Sequence, residues 1–168
     1  MKTYTTLLNT FDFMATKYLL KNPSFEIKYE RINNSIEMII PKKSISGFDV
    51  GVTVQTYGMY PWAGAWHGAA LEPMKEWLEE EVCSDFFGFL RTILSPDARL
   101  RYKLYRNNIK AAILEIREKN GNWKIHDKYS FFVIPFGDYK EVEHQNIHFT
   151  SRFPYDGLEL TQWGFYRW

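Results

Sequence analysis

Short runs of alternating apolar and polar residues, broken by Asn-rich dipeptides, constrain this chain more than any other feature. Strict alternation suits a strand with one buried face, and asparagine tolerates the positive φ of tight hairpin turns. Phe25, Ile27 and Tyr29 alternate with Glu26, Lys28 and Glu30, and Ile36, Met38 and Ile40 follow beyond Asn33-Asn34. A two-residue turn with both asparagines at positive φ sets Tyr29 opposite Met38 and Ile27 opposite Ile40, giving one wholly apolar face. Phe48, Val50, Val52 and Val54 then alternate with Asp49, Gly51, Thr53 and Gln55, which predicts a third strand.

The same pattern returns later. Leu100, Tyr102 and Leu104 alternate with Arg99, Arg101 and Lys103, and Ala112, Leu114 and Ile116 with Glu115 and Arg117. A two-residue turn at Asn107-Asn108 would pair Arg101 with Leu114 and mix the faces. A three-residue loop, Asn107 to Ile109, pairs Tyr102 with Leu114, Leu100 with Ile116 and Arg101 with Glu115. Asn120-Gly121, the strongest hairpin signal, predicts Ile116 opposite Ile125, Arg117 opposite Lys124 and Glu115 opposite His126. Tyr129–Ile134 reads as a buried strand, and Val142–Phe149 and Leu158–Trp168 as strands at an edge.

Two segments carry helical periodicity instead. Tyr4, Leu7, Leu8, Phe11, Met14, Ala15, Tyr18 and Leu19 predict an amphipathic helix of about five turns, stopped by Asn22-Pro23. Glu72-Pro73 opens a second, about 73–94, with Met74, Trp77, Leu78, Val82, Phe86, Leu90 and Ile93 on one stripe and glutamates gathered toward its N-terminal end, where the helix dipole favours them. The expectation is an α+β fold: one domain over residues 1–168, with a mainly antiparallel curved sheet, an N-terminal helix and a central helix. No apolar run approaches the roughly 18 residues of a membrane span, and the N-terminus lacks the pattern of a signal peptide. The lone Cys83 cannot form an internal disulfide. A cytoplasmic location follows as the expectation.

Tyr60–Leu71, Tyr-Pro-Trp-Ala-Gly-Ala-Trp-His-Gly-Ala-Ala-Leu, is the most unusual stretch. As a strand it puts Trp62, Gly64, Trp66 and Gly68 on one face; Pro61 could instead open a short helix with the two tryptophans one turn apart. Small residues admit a close neighbour or a ligand. Trp62, Trp66 and His67 are therefore the candidate ligand-binding residues, and His67 is a candidate base because imidazole titrates near neutrality. No catalytic partner is visible beside it. His144 and His148 stand four apart, but the segment is not convincingly helical, and on a strand they would lie about 13 Å apart, too far for one ion. Cys83 has no neighbour to lower its pKa and reads as a small buried hydrophobe. With no nucleophile elbow, phosphate loop or dinucleotide fingerprint, neither a catalytic residue, a metal nor a cofactor is assigned.

Charge is nearly balanced, with 21 basic against 20 acidic side chains, but unevenly placed. Residues 72–97 carry a net −5 and residues 98–168 a net +4. An acidic middle argues against general nucleic-acid binding, which needs a clustered basic stripe. Glu76, Glu79, Glu80, Glu81 and Asp85 read as a solvated helix face, or as a dock for a basic partner. Arg99, Arg101, Lys103, Arg117 and Lys124 form the candidate partner-binding face, with Arg99, Arg117 and Lys124 lacking an expected acidic neighbour. Such a face would attract an acidic protein surface.

From Trp66-His67 through the Glu-rich helix to Leu94-Ser95-Pro96 and Arg99–Tyr105, the chain resembles small bacterial proteins, uncharacterised or of the toxin-immunity type. The resemblance implies a cytoplasmic α+β protein that neutralises a partner by binding it, and transfers no functional residue. The leading expectation is therefore a non-enzymatic protein-binding module. The alternative is a small-molecule enzyme or ligand-binding α+β barrel with its pocket near Trp62, Trp66 and His67.

Overall fold

A computed structural model describes residues 6–20, 26–73, 79–131 and 137–146, together with the backbone of 159–160 and 166–167. The fold is α+β, with two helices and two main antiparallel sheets. Helix α1 (Leu7–Tyr18) precedes β1 (Lys28–Ile32), β2 (Ser35–Ile40), β3 (Val50–Gln55), β4 (Gly58–Ala63) and β5 (Trp66–His67), which form a five-stranded meander in chain order. Helix α2 (Glu79–Ile93) leads into β6 (Ala98–Tyr105), β7 (Asn108–Arg117), β8 (Trp123–Ser130) and β9 (Lys140–Gln145), ordered β8-β7-β6-β9. A short pair, β10 (Glu159–Leu160) and β11 (Tyr166–Arg167), forms a separate two-stranded sheet, with β11 beside α2.

Helix α1 is shorter than its periodicity suggests, about three turns rather than five. Thr6 takes an extended conformation and its hydroxyl accepts the Asn9 N–H at 3.4 Å, an N-cap that fixes the start. Leu7, Leu8, Phe11 and Ala15 are buried, and Phe11 lies 5.7–5.8 Å from the rings of Phe86 and Phe87 on α2. Residues 74–78, where the second helix was expected to begin, lie outside the described residues. From Val82 onward α2 is buried on nearly every side, Phe86, Phe87, Phe89 and Leu90 included, so the expected single stripe widens to most of the circumference. Ser95 ends it, donating its hydroxyl to the Thr92 carbonyl and accepting the Asp97 N–H.

In the first hairpin Tyr29 faces Met38 as expected. Pairing ends at Lys28–Ile39, and Ile27 packs on the core beyond it. Only Asn33 of the two turn residues takes positive φ, 48°. Ile36, Met38, Ile40, Val50, Val52 and Val54 are fully buried, as the alternation requires.

The second meander keeps the expected faces and changes the register. Leu100, Tyr102 and Leu114 point inward, but Leu100 faces Leu114, Tyr102 faces Ala112 and Arg99, not Arg101, faces Glu115. The turn is a two-residue one at Arg106-Asn107, both at positive φ (49° and 64°), and a bulge with Lys110 as the extra residue restores parity. A bulge therefore does what the three-residue loop was expected to do, two residues out of register.

Asn120-Gly121 lies in a five-residue loop, Glu118 to Asn122, where Asn120 accepts the Asn122 N–H and Gly121 takes φ 89°. Arg117 faces Trp123, Ile116 faces Lys124 and Glu115 faces Ile125. His126 is bulged out, and beyond it Leu114 meets Asp127. Of the expected buried strand Tyr129–Ile134, Tyr129 lies at the exposed end of β8 and Phe131, just beyond it, is exposed too, while residues 132–134 lie outside the described residues. Of the expected Val142–Phe149 strand, β9 begins at Lys140, ends at Gln145 and pairs with β6, and residues 147–149 lie outside the described residues.

The two sheets are joined by side chains that reach backbone. Asn146, 1% exposed, accepts the Phe48 N–H and donates to the Phe48 carbonyl, both at 3.0 Å, as a paired strand would. The Gln145 N–H donates to the Ser46 carbonyl at 2.9 Å, and its side chain to the Pro96 carbonyl. The Ala65 N–H donates to the Tyr102 hydroxyl at 3.3 Å. Among the described residues, no helix is long and apolar enough to cross a membrane.

Candidate interaction surface

The Gly/Ala-rich segment is a hairpin, neither one continuous strand nor a helix. Ala63 pairs with Trp66 and Trp62 with His67 across Gly64-Ala65, and Gly64 takes φ 52°. The turn reverses the expected faces. Trp66, 2% exposed, enters the core, donates its indole N–H to Asp127 at 3.1 Å and lies 5.6 Å from Phe89. Trp62 lies on the other face, its indole covering Gly51 so closely that a Cβ there would sit 2.4 Å from the ring. Trp62, Trp66 and His67 therefore do not converge on one pocket: a two-residue turn puts neighbours in sequence on opposite faces.

What the hairpin does create is an exposed aromatic seam. His67 is exposed, its ring 5.2 Å from Tyr129, which meets Phe131 edge-on at 5.1 Å. Tyr129 is 37% and Phe131 44% exposed. Tyr60, also exposed, shares the outer face of β4 with Trp62. The rings come from both sheets, because Trp66 anchors β5 to Asp127 at the middle of β8. His67 and Trp62 were legible as candidates; Tyr129 was assigned to a core strand and Phe131 with it.

The basic face is largely neutralised. Glu115, 4% exposed, accepts from Arg99 Nε at 2.6 Å and from Arg101 Nη2 at 2.7 Å. The β9 pairing adds Glu143 beside Arg99 and Glu141 beside Arg101, each at 3.0 Å, with Lys103 3.5 Å from Glu141. Those contacts hold the Glu141 carboxyl below its usual range, the Arg101 hydrogen bond being the main cause. The expected excess of unneighboured positive charge is thus corrected, since the strand bearing Glu141 and Glu143 was placed only loosely at an edge. Lys124, opposite Ile116, is on the other face of the sheet from Arg117 and 4.0 Å from Glu118. Of the expected row, Arg101 reaches Glu115 from the diagonal rather than the opposite position, and His126 drops out at its bulge, where burial lowers its pKa.

Of the other candidates, His144 sits on β9 with its ring 5.0 Å from Tyr102, and His148 lies outside the described residues. Among the described residues no cluster of three or more His, Cys, Asp or Glu could hold a metal ion. Of the acidic run, Asp85 is buried rather than solvated, and Glu80 and Glu81 are exposed. Cys83 is fully buried, and its thiol is pushed up to about 12, first by burial and then by Glu79 and Glu80. Alkylation of the folded protein at pH 8 should run at least about a hundredfold slower than in denaturant, because little thiolate exists. Equal rates with and without denaturant would place Cys83 on the surface.

No protein-family model, curated protein or solved structure matches this chain.

Proposed function

We propose that this chain is a non-enzymatic protein-binding module that acts in the cytoplasm and neutralises a partner by occupying it, in the manner of bacterial immunity proteins. The observation that carries the reading is the exposed seam of His67, Tyr129 and Phe131. Contiguous exposed rings are uncommon on surfaces that meet only water. Tyrosine and its aromatic neighbours bury much area at small entropic cost, which is why such residues anchor interfaces. The seam rests on strands tied to the core through Trp66 and Asp127, so its rings are pre-positioned. The Arg/Glu cluster lies on the other face of the four-stranded sheet and is nearly neutral, which supports a contact driven by ring burial more than by long-range steering. The resemblance over Trp66 to Tyr105, which includes His67 and α2, supports the immunity type, and a lone buried cysteine suits a reducing compartment.

The test is affinity capture from the native host, with the captured protein identified and its affinity remeasured against the triple variant His67→Ala, Tyr129→Ala, Phe131→Ala. The expected result is binding weakened by about a hundredfold, the sum expected of two or three anchor residues, with the melting free energy within about 1 kcal/mol of the parent because the residues are exposed. A partner held equally tightly by the triple variant would remove the seam from the interface.

A further inference from the structure

Resting on that protein-binding reading, we propose that Arg117, with Trp123 and Ile125, is the anchor that receives a carboxylate from an acidic protein partner. On the outer face of the four-stranded sheet, Arg99, Arg101 and Lys103 are matched by Glu115, Glu141 and Glu143. Arg117, and Lys128 opposite Ile113, are the cations left over on this face: among the described residues neither has a carboxylate within ion-pair distance, and of the two only Arg117 is stacked on a ring. Its guanidinium lies 4.8 Å from the centre of the Trp123 indole, which the Arg99 guanidinium also approaches at 4.4 Å. Its Nε is buried and has no acceptor, so the fork is held by stacking rather than by a salt bridge. A guanidinium fixed in this way loses little freedom on gripping a carboxylate through its remaining nitrogens.

The neighbours select the partner. Ile125, 55% exposed, follows Trp123 on the same face and offers an apolar shelf beside the charge. Arginine and tryptophan with an apolar rim are the residues that dominate protein interfaces. A nucleic acid fits poorly, because a polyphosphate needs several free cations in a row. Here, among the described residues, the two free cations, Arg117 and Lys128, are separated by the Ile125–Glu115 row.

The probe is a capped peptide, acetyl-Glu-Leu-Glu-Leu-amide, with its Gln counterpart, titrated into the full chain while the Trp123 indole and Ile125 methyl resonances are followed. The glutamate peptide should shift both signals and the glutamine peptide bind about tenfold more weakly, the usual effect of losing a charge-assisted hydrogen bond. Arg117→Gln should bring the glutamate peptide down to the glutamine level. Arg117→Lys, which keeps the charge and loses the fork, should fall between. Lys124→Gln, on the other face, should change nothing. Equal shifts from both peptides, no shifts at all, an Arg117→Gln protein that binds like the parent, or stronger saturation by oligo-dT than by the glutamate peptide would each overturn the assignment. So would a dimer in sedimentation that Arg117→Gln dissolves, since a second copy would then be the occupant. A captured partner lost by the seam variant and held unchanged by Arg117→Gln would leave the binding module standing and remove only this anchor.

Discussion

Replacing Gly64 by valine is expected to lower stability by about 3–5 kcal/mol, the largest effect of any single surface-proximal change in this protein. Two costs combine. Gly64 takes φ 52°, a region that a β-branched residue adopts only under strain. A Cβ there would also lie 2.0 Å from the Tyr102 hydroxyl and 3.3 Å from Leu100, with Phe48 at 3.4 Å. Tyr102 cannot simply retreat, because its hydroxyl accepts the Ala65 N–H and its ring is 7% exposed between the sheets. Gly64→Ala should show most of the loss, since the Cβ itself makes the clash. Chemical denaturation measures both, and an unchanged midpoint for either variant would show that the β4–β5 turn is not seated against β6.

Asn146→Ala should cost about 2–4 kcal/mol, because it orphans the buried N–H and carbonyl of Phe48 together. In a chain of this size each kcal/mol moves the melting midpoint by about 2–4 °C. Asn146→Asp is the sharper variant: it keeps the acceptor for the Phe48 N–H and sets a second oxygen against the Phe48 carbonyl. That variant should be no more stable than the alanine one. Gly47 is part of the same joint, for a Cβ there would meet the Asn146 amide oxygen at 2.8 Å. If Asn146→Ala melts with the parent, the two sheets are held together by something other than this clamp.

The contrast between faces and registers shows what the sequence could convey. Which side of each strand is buried depends only on period-two alternation, so the inward placement of Val50, Val52, Leu100 and Leu114 was legible. Which residue faces which depends also on bulges, and Lys110 and His126 carry no local mark of being the extra residue. The β6–β9 pairing spans about forty residues of chain, and nothing in Glu141 or Glu143 says that Arg99 and Arg101 will be beside them. At Gly64-Ala65 a signal was present, a glycine in a two-residue linker, but the flanking alanines disguised it as a strand interior. That misreading placed Trp62 and Trp66 together, hid the core role of Trp66, and left the seam incomplete without Tyr129 and Phe131. Asn146 gives no signal at all in sequence, because a buried asparagine is identified only by the backbone it clamps.

The central claim, that the aromatic seam is where a partner sits, is tested most directly by hydrogen–deuterium exchange of the full chain with and without its captured partner. The account predicts new protection over β5 and the second half of β8, reporting His67, Tyr129 and Phe131, with α1 unchanged. Protection confined to α1 or to the β1–β2 hairpin, with β5 and β8 exchanging as in the free protein, would contradict it.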